Sequence, residues 1–227
     1  MPPMPVRPEP SGAQAAFPFT LEILAVLLAA AVLGPAILPS PAQAQSTWGI
    51  TFSGGFAKPE GGLFSVQWDR GSSIVLGMAG MISSHLELGG EFGYVQYKPS
   101  GDSLAIPGVR GGEDVENDWQ MWRLRFRARR FFASSEAKVA PFVIAGIGIY
   151  PISAQSTDST GTLKITQTGN GVSIGGGADY RAGDTVNFGV EAQYHYIRTD
   201  AAVLGYKAAP MVEVLFAIRW LPGGGGE

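Results

Sequence analysis

From Trp48 onward the chain is written with a period of two. In Trp48-Gly-Ile-Thr-Phe-Ser-Gly-Gly-Phe56, Trp48, Ile50, Phe52 and Phe56 fall on one face, and Gly49, Thr51, Ser53 and Gly55 on the other. Alternation of this kind predicts a half-buried strand rather than a helix, whose apolar residues would recur at three and four positions. The pattern returns in Ser73 to Ser83, His85 to Tyr97, Met121 to Arg129, Pro141 to Tyr150, Gly171 to Tyr180, Val186 to Tyr196 and Met211 to Trp220. Eight strands are therefore expected, with no helix after Gln45, and most are long enough to cross a bilayer at a tilt.

The links between them alternate as well. Ser83-Ser84, Ala133 to Lys138 and Arg181 to Asp184 are short, whereas those after the first, third, fifth and seventh strands are long and polar. Short turns on one rim and long loops on the other suit an up-and-down barrel, and an even strand number returns both ends to the short-turn rim. The expected fold is an all-β, eight-stranded antiparallel up-and-down transmembrane β-barrel.

Ahead of the strands, an apolar run from Leu21 to Leu38 leads into Ser40-Pro41-Ala42-Gln43-Ala44, a small-residue site of the A-x-A type. This predicts a signal peptide over residues 1–44, starting at Met1 or Met4, with a retained anchor as the alternative. Residues 45–221 then form the barrel and residues 222–227 a flexible tail.

Periodicity cannot say which face meets water. A soluble barrel would place the apolar rows inside; a membrane barrel inverts them. Three features favour inversion: the export signal, aromatics near the ends of the apolar rows (Trp48, Tyr94, Trp122, Tyr180, Tyr196, Trp220), and glycines crowding the polar face (Gly49, Gly89, Gly93, Gly175, Gly177, Gly189). An eight-stranded barrel has little interior room, which small residues accommodate. The polar rows then enclose Glu87, Glu91, Glu191 and Glu213 with Arg123, Arg125, Arg127, Arg129 and Arg219. The third strand carries glutamates and its hairpin neighbour arginines on the same face, within cross-strand reach. These nine residues are expected to form a lumenal ion network; a narrow charged pore is the functional alternative.

Composition narrows the chemistry. The chain has 32 glycines among its 227 residues, a net charge of −3 and no cysteine, which excludes disulfides and thiolate sites. The histidines, His85 and His195, are far apart, and no spacing resembles a metal site, so no metal or cofactor is expected. Gly175-Gly176-Gly177 lies within an alternating strand and lacks the helix and lysine of a phosphate loop. The arginine row has its aromatics on the opposite face, unlike a nucleic-acid surface.

The segments His85-Leu-Glu-Leu-Gly-Gly-Glu-Phe-Gly-Tyr94, Pro141-Phe-Val-Ile-Ala-Gly-Ile-Gly-Ile-Tyr150 and Gly175-Gly-Gly-Ala-Asp-Tyr180, followed by Phe188-Gly-Val-Glu-Ala-Gln-Tyr194, carry a family likeness. The chain resembles the outer-membrane protein β-barrel domain family, the small barrels similar to OmpA, OmpX and OmpW, from Trp48 to Trp220. The resemblance implies residence in a bacterial outer membrane among its lipids and lipopolysaccharide. It also implies insertion by the barrel-assembly machinery, which reads a terminal strand like Val214, Phe216, Ile218 and Trp220. Barrel-type lipid A deacylases of this architecture carry a Ser two residues after a His; here Ile197 follows His195, so no catalytic residue is expected. A non-enzymatic structural or surface-interaction role is the leading expectation, with a lipid-modifying enzyme the more distant alternative. The loops Lys98 to Asp118, acidic through Asp102, Glu113, Asp114, Glu116 and Asp118, and Thr157 to Thr168, Ser/Thr-rich, are the candidate surface for an extracellular ligand.

Overall fold

The fold is seen in a computed structural model that describes residues 48–99, 116–133, 137–158 and 161–222. The segments expected as signal peptide and tail, apart from Pro222, lie outside the described residues, as do Asp102, Glu113 and Asp114.

Eight strands close into one barrel: β1 (Trp48–Pro59), β2 (Gly71–Met81), β3 (Leu86–Tyr97), β4 (Glu116–Phe131), β5 (Val139–Asp158), β6 (Gly161–Arg181), β7 (Val186–Arg198) and β8 (Met211–Trp220). Each pairs antiparallel with its sequence neighbours, and β8 closes on β1 with Phe52 opposite Ile218. Closure removes both sheet edges, so the backbone groups that cross a membrane are satisfied between strands.

The alternating faces are disposed as an inverted protein. Phe126 is 53% and Phe216 63% exposed, while Arg123 and Glu213 are fully buried. An apolar band facing outward around a charged interior is stable only when the surroundings are hydrocarbon. Aromatic side chains pair at the ends of the outer rows. Trp48 and Trp220 meet edge-on at 6.3 Å on the short-turn rim, and Tyr94 and Trp122 at 4.6 Å toward the other. Leu76 is central in the outward row of β2, and Leu76→Arg is expected to cost about 2–4 kcal/mol. Unfolding measured from lipid vesicles by denaturant titration reads that loss.

The glycines of the inner face are required by proximity. A Cβ on Gly175 would lie 2.1 Å from the carbonyl oxygen of Ala192, and one on Gly93 2.5 Å from Nε of Arg123. The first contact would force two strands apart; the second occupies the space where the arginine side chain lies.

Two expectations are corrected. Thr157 to Thr168 is not a long loop: β5 and β6 continue as a paired ladder to Asp158 opposite Gly161. Thr162, Lys164, Thr166 and Thr168 alternate with Leu163 and Ile165, and the extended backbone suits the β-branched threonines and isoleucine among them. β4 follows them, pairing Glu116 with Thr157, so Glu116 to Asp118 also belong to a strand. Nor is the chain after Gln45 free of helix. Among the described residues two short ones, α1 (Gly62–Gln67) and α2 (Ala201–Leu204), lie in the links at the long-loop rim. Gly61 and Gly62 enter α1 at φ of 73° and 61°, values that glycine adopts without strain and that turn the chain back over the barrel. Asp200 caps α2 by accepting from the Ala202 N–H at 2.9 Å.

The filled lumen as candidate functional site

The ladder registers place the charges. β3 and β4 set Glu91 directly opposite Arg125 and Glu87 opposite Arg129, on the inner face. All nine sequence-predicted residues are buried there and joined into one network. Glu91 is the hub of its central tier. Its Oε1 is 2.6 Å from Nη2 of Arg125 and 3.5 Å from Nε of Arg123, and its Oε2 is 3.3 Å from Nη1 of Arg127. Arg125 also donates to Oγ of Ser173 at 2.6 Å and to Gln193.

Toward the long-loop rim, Arg123 reaches across the lumen to Glu213 at 2.7 Å. The same carboxylate accepts from Ser73 and lies 3.3 Å from Nε2 of His195, whose Nδ1 is 3.3 Å from the Tyr150 hydroxyl. Toward the short-turn rim, Arg129 pairs with Glu191, and Arg219 with Glu87. Asp179 bridges the two guanidinium groups at 3.7 and 3.6 Å. Arg129 additionally lies over the ring of Phe142, 4.5 Å from its centre.

Sequence reasoning missed Asp179, which stood on the polar face of its strand, and the uncharged partners Ser73, Ser173, Gln193 and Tyr150. With Asp179 included, five carboxylates (Glu87, Glu91, Asp179, Glu191, Glu213) meet five guanidinium groups (Arg123, Arg125, Arg127, Arg129, Arg219). That balance makes burial tolerable, since an isolated buried charge would cost several kcal/mol. His195 belongs to the network through Glu213 and Tyr150, and Ile197 beside it is buried in an apolar cluster.

Above the charges the lumen is closed by an apolar plug absent from the sequence expectation. Phe64 of α1 inserts between Tyr97, Trp119 and Tyr206, with ring centres 5.6, 5.2 and 5.4 Å away. Trp68 packs on Trp119 at 6.2 Å, and Leu204 of α2 joins the same cluster. Trp119 donates its indole N–H to the Tyr206 hydroxyl at 3.2 Å. Burial holds the Tyr206 hydroxyl protonated well above its usual range. Below the charges, Phe131, Phe142 and Ile144 form a smaller apolar floor. Ion network, plug and floor together leave an interior made of side chains.

A closed eight-stranded barrel with a lipid-facing apolar band and a charge-filled core defines an integral protein of an outer membrane. Residues 24–209 match the outer membrane protein beta-barrel domain, and the chain belongs to that family. The strand β8 lies beyond the matched residues, yet it completes the barrel by pairing with β1. Among solved structures the chain is similar to Neisserial surface protein A, with 18% identity and a TM-score of 0.54 over 77% of this chain and 96% of that one. It is also similar to Ail, the attachment invasion locus protein of Yersinia pestis (13% identity, TM-score 0.46, 78% and 99% coverage). A third is the outer membrane protein OprG of Pseudomonas aeruginosa (13% identity, TM-score 0.45, 78% and 97% coverage). No curated protein sequence matches the chain. In barrels of this class the short-turn rim faces the periplasm and the long-loop rim the cell exterior.

Proposed function

We propose that the protein is a non-conducting, non-enzymatic barrel whose outer rim serves surface interaction and whose body reinforces the envelope. The observation that carries this reading is the occlusion of the lumen. Three tiers of paired charges lie under a plug in which Phe64, Trp68 and Trp119 are almost wholly buried. An ion entering from outside would have to displace that plug and then the Arg123–Glu213 pair. Export with removal of residues 1–44 and insertion by the barrel-assembly machinery complete the proposal.

The surface offered to the exterior is the β4–β5–β6 extension. There β5 and β6 stay paired up to Asp158 and Gly161, well past the point where β6 leaves β7 at Asn170 opposite Arg198. Its Ser, Thr and Gln side chains give a stiff polar sheet for a partner outside the cell.

Planar-bilayer recording of the purified protein tests occlusion. No unitary current steps are expected at neutral pH. Reproducible steps that change with Glu91→Gln or Arg125→Gln would overturn the reading in favour of a charged pore. Lipid analysis of cells with and without the protein is expected to show unchanged acylation of lipid A and phospholipids; an altered pattern would point to an enzyme.

A further inference from the structure

The outer wall carries a feature the occluded lumen does not explain. Two outward-facing rows cross four strands in register: Leu124–Ile149–Asn170–Arg198, and beside it Phe126–Ile147–Val172–Tyr196. Together they line a trough of about 760 Å³. Three inter-strand spacings make it roughly 14 Å long, about the reach of a twelve-carbon chain.

The trough is graded. At its β4 and β5 end the outward side chains are all apolar (Leu124, Phe126, Ile147, Ile149), over the backbone of Arg125 and Gly148, inside the hydrocarbon band below Trp122. Its β6 and β7 end rises to Asn170 and Arg198, both exposed. These two stand at the outer membrane boundary, where outward rows elsewhere also turn polar: Lys58 on β1, Gln96 on β3, Gln120 on β4 and Ser153 on β5.

A second cavity, of about 550 Å³, continues from the same two residues. Asn170 and Arg198 line both; the upper one adds Gln167, Thr168, Thr199, Asp200 and Val203. Its polar groups are held in place. Gln167 accepts from the Asp200 N–H at 3.2 Å, the Thr199 hydroxyl is fixed on the Tyr206 carbonyl, and Asp200 caps α2. An apolar channel at acyl-chain depth thus opens into a polar chamber at headgroup depth, with a guanidinium at the junction.

We infer that this is a binding site for an outer-leaflet glycolipid with a phosphorylated sugar headgroup. One acyl chain lies along Leu124, Phe126, Ile147 and Ile149. The phosphate pairs with Arg198, the group best shaped to grip it. The sugar hydroxyls occupy the upper chamber against Asn170, Thr168 and the Asp200 carboxylate. That carboxylate disfavours a bare phosphate headgroup and favours one that brings hydrogen-bond donors. The inference rests on the outer-membrane placement of the barrel but not on its occlusion, and binding is measured independently of current.

The test uses native mass spectrometry of the folded full-length mature protein in a neutral detergent, titrated with monophosphoryl lipid A, dilauroyl phosphatidic acid or dilauroylglycerol. Lipid A is expected to bind about tenfold more tightly than either of the others. Arg198→Glu is expected to remove that preference, and Ile147→Trp, which fills the trough, to weaken binding of lipid A by a similar factor. Lys58→Glu, at the same depth away from the trough, is expected to leave it unchanged. Heat-modifiable gel migration confirms that each variant is folded. Equal binding of phosphatidic acid would overturn the sugar assignment. Equal binding of dilauroylglycerol, an unaffected Arg198→Glu, or an equal loss in Lys58→Glu would overturn the site.

Discussion

Glu91→Ala is expected to destabilise the barrel by about 3–5 kcal/mol, the cost of breaking a buried ion pair from one side. Glu91 is the shared partner of Arg123, Arg125 and Arg127, all buried. Its removal leaves Arg125 with the neutral Ser173 and Gln193 and no carboxylate among the described residues, while Arg127 keeps the more distant Glu191 at 3.8 Å. Arg123 keeps Glu213, so the damage centres on Arg125. Glu91→Gln retains hydrogen-bonding oxygen but not charge and should lose less. Adding Arg125→Met to Glu91→Ala should recover much of the loss, because it removes the guanidinium left without a carboxylate. Equilibrium unfolding from detergent or vesicles, with folded fractions read by heat-modifiable migration, measures all three. Equal losses for Glu91→Ala with and without Arg125→Met would show that the charge pairing is not what stabilises the tier.

The second large effect belongs to the plug. Phe64→Ala removes the ring that meets Tyr97, Trp119 and Tyr206, and truncation of a buried aromatic costs about 3–5 kcal/mol. Because Phe64 sits on α1 and not on a strand, the loss should fall on docking of the link and not on barrel closure. Amide hydrogen exchange is expected to accelerate across residues 61–68 while β1 and β2 keep their protection. Conductance should stay absent, since the Arg123–Glu213 tier lies beneath. Current steps in Phe64→Ala alone would identify the plug as the sole barrier.

The barrel was legible in the sequence wherever the two faces of a strand differ strongly in polarity. The arginine row of β4 against Trp122, Leu124 and Phe126 places both faces without ambiguity, and the Glu87 and Glu91 spacing predicts their cross-strand partners. The outer part of β5–β6 hid for the opposite reason. With Thr, Lys and Gln surrounding Leu163 and Ile165, its alternation is weak above the membrane, where neither face must be hydrocarbon. Phe64 and Trp68 escaped because a short helix of this size carries no period of its own. What defines it is the cavity it fills, built from residues as distant as Trp119 and Tyr206. Asp179 was visible on its polar face, but its pairing with Arg129 and Arg219 depends on strands brought together only by closure.

The position of the last two network charges has a consequence for assembly. Glu213 and Arg219 both lie on β8, the last strand of the barrel, and their partners Arg123 and Glu87 lie on β4 and β3 across the lumen. A sheet of seven strands would hold Arg123 and Glu87 in a membrane without these counterions. The cross-lumen pairs of Arg123 and Glu87 and the β1–β8 seam therefore arrive in one step. An unfinished barrel is penalised at its centre, through unpaired partners of β8, as well as at its open edges.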